Sequence, residues 1–185
     1  MRKTQPSEQP VNDWYELEAG VAANFVMSAD GRFADSGGSS RGISNSRDLQ
    51  HLVHLRRQCD ALVTDGTTAR LEHYAAKPSR ETYVFTRSQP AEGLHALRAE
   101  SAEHFDVVLA ALRLHHSRIL LETGPTILKT LISRGLVDRL FLSITGDADD
   151  RAAGMQKAQA LLGFDQDPAR VALELELNLY RFDFR

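Results

Sequence analysis

The stretch from Ile119 to Ile144, ILLETGPTILKTLISRGLVDRLFLSI, reads as a strand, a turn, a helix and a second strand. Ile119, Leu120 and Leu121 make the short, continuously apolar run of a strand covered on both faces, and Gly124 and Pro125 end it. Proline suits the first turn of a helix, where its missing N–H would have had no partner. Ile127, Leu128, Leu131 and Ile132 then recur at helical spacing, Gly135 stops the helix, and Leu140, Leu142 and Ile144 alternate as a strand does. The N–H groups around Gly124 to Ile127 therefore lie at a helix N-terminus above the carboxyl edge of a sheet, where free donors and the helix dipole favour phosphate. An ordinary strand-to-helix connection carries the same punctuation, so this turn alone does not decide between the two.

Working outward, Val21 to Met27 (VAANFVM) is a central strand interrupted by one polar residue, Asn24, which either bonds a neighbouring element or faces a ligand. Asp30-Gly31 marks a turn, Asp35 to Gly42 (DSGGSSRG) a small-residue loop, and Ser44 to Ser46 the cap of a helix running to about Gln58. Asp48 sits in the first turn of that helix, where a negative charge is favoured. Ala61 to Thr64 and Thr82 to Thr86 are further buried strands, His104 to Leu114 is a helix, and Val171 to Arg185 alternates as an antiparallel hairpin turning near Leu177-Asn178. The pattern is α/β: a mixed, mostly parallel sheet of about seven or eight strands with helices on both faces and an antiparallel finish.

Three strand ends carry phosphate-compatible groups: Gly66-Thr67-Thr68, Thr86-Arg87-Ser88 and Gly124-Pro125-Thr126. Three in one sheet point to a dinucleotide lying across the carboxyl edge. An arginine between two hydroxyls suits a monoester phosphate better than a ribose diol, which favours NADPH over NADH, although a solvated loop arginine reads equally well at Arg87.

The chain has 185 residues, enough for one well-buried core, and a net charge of −3 that gives no argument for nucleic acid or an anionic membrane. Residues 1–18 are polar and contain no apolar signal core; they read as a flexible tail ahead of a single domain over 19–185, with Trp14 and Tyr15 available to dock on it. Cys59 is the only cysteine, no apolar run is long enough to span a bilayer, and the histidines are scattered without a metal-ligand motif. The expectation is a cytoplasmic protein without a metal site.

Several stretches together resemble one family. Ala23 to Gly31 is similar to its opening strand and M-S-x-D-G turn, and Leu55-Arg56 with Asp60 to Val63 to its L-R-x-x-x-D-A-x-x segment. Gly66-Thr67 follows in place, and Glu122 to Thr126 with Gly135 to Asp138 are similar to its E-G-G-P-T and G-L-V-D signatures. The family is the reductase domain of the bifunctional riboflavin-biosynthesis deaminase-reductase, with a dihydrofolate-reductase-like fold. The resemblance implies a homodimeric, NADPH-dependent reductase of a phosphorylated ribosylaminopyrimidine. It places Gly66, Thr67, Thr68, Thr123, Gly124, Pro125 and Thr126 at the cofactor phosphates and Thr86, Arg87 and Ser88 at the adenosine ribose phosphate. Asn24, Ser28, Ser44 and Arg70 become the substrate-binding set, with Asp30 and Glu72 as the ionisable candidates for proton transfer.

Thr123 stands where the family has its first glycine, and the family's D-D-P and L-T-x-R segments are absent after Gly66. In their place, Ala69 to Tyr74 is similar to the R-x-E-x-Y form of stand-alone pyrimidine-reductase-like relatives. The zinc-dependent deaminase partner is missing, since one cysteine cannot supply its site. Two alternatives stay open: a dihydrofolate-type reductase, for which Asp48 is the nearest acidic residue on the first helix, and a non-catalytic nucleotide-binding dimeric scaffold.

Overall fold

The computed structural model describes residues 15–185. Its strands are β1 (Gly20–Ser28), β2 (Ala61–Asp65), β3 (Glu81–Phe85), β4 (His95–Leu97), β5 (Arg118–Glu122), β6 (Arg139–Thr145), β7 (Arg170–Leu173) and β8 (Leu177–Asp183). The helices are α1 (Ser46–Gln58), α2 (Gly66–Leu71), α3 (Ala102–Arg113), α4 (Pro125–Ser133) and α5 (Arg151–Leu162). The strands form one sheet in the order β4-β3-β2-β5-β1-β6-β8-β7. Pairing is parallel from β4 through β6, whereas β8 runs antiparallel to β6 and β7 antiparallel to β8.

The apolar residues of the central strands divide between the two faces, as a period of two requires. Ala22, Leu62, Leu120, Phe141 and Leu179 pack with Leu55 of α1 on one face. Val21, Val63, Leu121, Leu140 and Leu142 pack on the other with Leu109 of α3, Leu131 of α4 and Leu162 of α5. Tyr15 and Leu17 are also buried, on the α1 face, where the Tyr15 ring lies 4.7 Å from Phe141. Tyr15 and Leu17 thus dock the end of the proposed tail on the body; its residues 1–14, Trp14 included, lie outside the described residues.

The segment 119–144 forms the expected strand, helix and strand, with Pro125 opening α4. The α1 cap falls on Asn45, whose side chain accepts from the N–H groups of Arg47 and Asp48. The hairpin turn differs from the sequence expectation: it lies at 174–176, and Leu177 and Asn178 belong to β8. Buried Arg151 explains this, because its guanidinium donates to the carbonyls of Glu174 and Leu175, each at 2.7 Å, and gathers the turn there.

Helix α5 rests against the sheet through Gly154. A Cβ at this position would lie 2.7 Å from Ile144 Cγ2 and 2.8 Å from Ala29 Cα. Gly-to-Ala replacement in a helix ordinarily stabilises by about 1 kcal/mol. Here the backbone contact reverses the sign: Gly154→Ala should lower stability by about 1–3 kcal/mol, read from the urea midpoint.

Candidate active site

The parallel strands β1, β2 and β5 end side by side, and a cleft of about 870 Å³ opens over their carboxyl ends. Helix α1 forms one wall, and the loops after β2 and β5 form the other. Of the residues singled out from sequence, Asn24, Ser44, Thr67, Thr68, Glu72, Thr123, Gly124 and Pro125 line it.

On the floor, Arg56 of α1 reaches across to Glu122 at the end of β5, with Nε 2.8 Å from Oε1. Its other nitrogen donates to Tyr74 Oη at 2.7 Å, and that hydroxyl donates in turn to Glu122. Burial raises the Tyr74 hydroxyl well above its ordinary value, and the neighbouring Glu122 charge adds to the effect. The trio ties the helix wall, the strand end and the loop after α2 to one another.

Beside it, Asp65 caps α2. Its Oδ1 accepts from the N–H groups of Thr67 and Thr68, both at 2.9 Å. Its Oδ2 accepts from Thr68 Oγ1 at 2.8 Å and from the Gly124 N–H at 2.7 Å. Three amides expected to face a cofactor phosphate are therefore held by one internal carboxylate.

Glu72 is the anchor of the loop before α1. Its Oε1 accepts from Ser39 Oγ, Ser40 N and Ser40 Oγ at 2.8, 2.8 and 3.0 Å, and its Oε2 pairs with Arg41 at 2.9 Å. Burial would raise this carboxyl, but the Ser39 and Ser40 hydrogen bonds and the Arg41 charge outweigh it and hold it below its ordinary value. An ionised group with this many donors is suited to clamping a loop and ill suited to delivering a proton.

Asp30 and Ser28 do not join the cleft lining. The Ser28 hydroxyl donates to Asp30, which also pairs with Arg32 at 2.8 Å, so the two residues close the turn after β1. The Ser28 hydrogen bond, reinforced by Arg32, lowers the Asp30 carboxyl. Arg70, assigned from sequence to the substrate, instead lies near the end of β3: a Cβ on Gly66 would meet Thr86 Oγ1 at 3.0 Å and Arg70 Nη1 at 3.2 Å. Thr86 Oγ1 is 3.2 Å from Ser88 Oγ and accepts from the Ser88 N–H, while Arg87 is exposed on the same loop. Arg70, Thr86, Arg87 and Ser88 thus share one end of the sheet edge. Thr126 lies in the first turn of α4, outside the cleft lining.

Asp48 occupies the α1 wall and is 2% exposed. Ser44 Oγ donates to its Oδ2 at 2.6 Å, and the buried Ser143 hydroxyl also acts on the carboxyl. Burial pushes this carboxyl above its ordinary value. Periodicity did not reveal its inward orientation, which follows from the rotation of α1 against the sheet.

Residues 19–146 match the RibD C-terminal domain. The chain belongs to this family. It is 26% identical over 200 residues to the 2,5-diamino-6-ribosylamino-4(3H)-pyrimidinone 5′-phosphate reductase of Methanothermobacter thermautotrophicus, covering 84% of this chain and 90% of that protein. Among solved structures it is similar to a pyrimidine reductase-like protein from Corynebacterium diphtheriae, at TM-score 0.64 and 20% identity over 89% of this chain and 91% of that one. It also resembles the Enterococcus faecalis dihydrofolate reductase complexed with NADP(H), at TM-score 0.60 and 15% identity over 89% of this chain and 95% of that one. The fold of this RibD C-terminal domain member is therefore dihydrofolate-reductase-like, as its sequence resemblance implied.

The Glu72 clamp makes the loop pH-sensitive. Its carboxyl is lowered on folding, so the stabilisation is present above the ordinary value of 4.5 and is lost as pH falls through the folded value. Protection at residues 39–41, taken as exchange relative to the intrinsic rate at each pH, should therefore fall at acid pH in the wild type, and already at pH 7 in Glu72→Ala, with protection in β5 unchanged.

Proposed function

We propose that this chain is an NADPH-dependent reductase of a pyrimidine- or pterin-type substrate, most suitably a ribosylaminopyrimidine phosphate. The observation that carries the reading is the cleft at the carboxyl ends of β1, β2 and β5 in a RibD C-terminal domain fold. The cofactor supplies the hydride when bound; the protein orients the reactants and excludes water.

The clustering of Arg70, Thr86, Arg87 and Ser88 suits the monoester phosphate of NADPH, because guanidinium groups bind phosphate oxygens in charge-assisted pairs. Asn24, at the end of the cleft formed by β1, suits the polar edge of a nicotinamide or a pyrimidine. Arg41, Lys77 and Arg80 also line the cleft and give it cationic groups appropriate to a phosphorylated substrate. The archaeal relative named above acts on such a compound. The family resemblance further supports a cytoplasmic homodimer whose ligands are small molecules, with neither nucleic acid nor membrane among its partners. Among the described residues, no helix is long and apolar enough to cross a membrane.

One observation favours a second reading, reduction of a dihydropterin: the buried Asp48 carboxyl in the cleft wall can accept from a ring N–H or amino group. The two substrates separate on this residue. Asp48→Asn should reduce turnover of dihydrofolate by on the order of a hundredfold if the pterin reading holds, while leaving a ribosylaminopyrimidine phosphate within a few fold.

Fluorescence titration with NADPH and NADH tests the cofactor. Wild type should prefer NADPH, and Arg87→Ala should weaken NADPH by about tenfold while leaving NADH nearly unchanged. NADPH binding without turnover of any pyrimidine or pterin would identify a scaffold; binding of neither nucleotide would overturn the reductase reading.

A further inference from the structure

The diphosphate end of the proposed cofactor site contains a negative charge of its own. Asp65 is 8% exposed and lines the cleft, and its two oxygens accept from the amides of Thr67, Thr68 and Gly124 and from the Thr68 hydroxyl. These donors come from two separate loops, after β2 and after β5, and they converge as donors converge on a phosphate. Beside them, the Thr123 hydroxyl is buried, lines the same cleft and has no hydrogen-bond partner. Thr123 is 5% exposed, so its hydroxyl carries an uncompensated cost that a ligand oxygen would relieve once the neighbouring Asp65 carboxylate moves aside. The loops thus combine an unsatisfied group that calls for a ligand with a carboxylate that occupies the donors this ligand would use.

We infer that Asp65 is a built-in phosphate mimic that lowers the affinity of this chain for any dinucleotide: it opposes the diphosphate common to NADPH and NADH and leaves the monoester phosphate held at Arg70, Thr86, Arg87 and Ser88 as the remaining anchor. The inference rests on the reading that a nicotinamide dinucleotide crosses this edge. Two anions competing for the same amides repel one another, and the low-dielectric floor strengthens that repulsion. A diphosphate must displace the carboxylate from Gly124 or bind beyond it. NADPH and NADH meet the same repulsion here, so removing it should tighten both by the same factor, while the preference between them stays with the monoester phosphate.

Asp65→Ser and Asp65→Asn test this. Serine caps a helix well and can keep the Thr67 and Thr68 amides satisfied while removing the charge and freeing the Gly124 N–H. Asparagine retains an acceptor for the α2 cap and also removes the charge. Circular dichroism first establishes that both variants are folded. Each protein is then titrated with NADPH, NADH and 2′-AMP, the last carrying the monoester phosphate without a diphosphate.

The expected result is tightening of NADPH and NADH by about tenfold or more in both variants, with 2′-AMP unchanged within about twofold. NADH binding that becomes detectable only in the variants also supports the inference. Wild-type NADPH binding that the folded variants leave equal or weaken overturns it and makes Asp65 a loop organiser alone. Equal tightening of 2′-AMP overturns it too, because the effect would then be general to anions. Failure of every folded protein to bind any of these nucleotides removes the dinucleotide reading, and this inference falls with it.

Discussion

Adjacent parallel strands that end at the same level are the constraint on which this site depends. Strands β2 and β5 pair in register up to Thr64 opposite Glu122. The next residues, Asp65 and Thr123, must therefore emerge side by side, and the Gly124 N–H comes within 2.7 Å of the Asp65 carboxylate. Thr64 reinforces the register from within, donating its hydroxyl to the Glu122 carbonyl at 2.7 Å. A slip of one residue would turn every side chain of β2 to the opposite face and separate the two loops. The cleft floor is a consequence of sheet register before it is a consequence of any individual side chain.

Around that floor, polar ties hold the walls apart. Arg56 and Tyr74 attach α1 and the loop after α2 to Glu122, and Glu72 attaches the loop 39–41 to the end of α2. Arg56, Tyr74, Glu122 and Glu72 are buried or half-buried and mutually satisfied, so the walls they tie together are preformed. Thr123 is different: its buried hydroxyl beside the cleft has no hydrogen-bond partner among the described residues. A ligand that satisfied it would recover a cost the free protein carries.

The central strands and helices α1, α3 and α4 were legible because burial on two faces, helical spacing and breakers are local properties of the chain, whereas β4 and α5 lack that signal and were not read. Ile119 to Ile144 shows all of them, and the parallel sheet and its carboxyl edge follow. The hairpin turn was misplaced because Arg151, far away in sequence, gathers the carbonyls of Glu174 and Leu175. Glu72 has the composition of a catalytic acid, yet Ser39 and Ser40, more than thirty residues earlier, consume its oxygens. Arg70 could be placed in the segment after β2 but not aimed, since its proximity to Thr86 depends on β2 pairing with β3. Asp65 had a local signal, an acidic residue immediately before Gly66-Thr67-Thr68 suited to an N-cap. Its bond to Gly124 did not, because that bond exists only once β2 and β5 are neighbours.

A crystal structure of the wild-type protein grown with saturating NADPH tests the central claim most directly, namely that the dinucleotide lies across the ends of β3, β2, β5 and β1. The account predicts the monoester phosphate among Arg70, Thr86, Arg87 and Ser88, the diphosphate displaced toward the first turn of α4 or seated where Asp65 has swung away from Gly124, and the nicotinamide beside Asn24. Nucleotide bound elsewhere on the chain, or a cleft that remains free of nucleotide at saturation with Asp65 still bonded to Gly124, would contradict it.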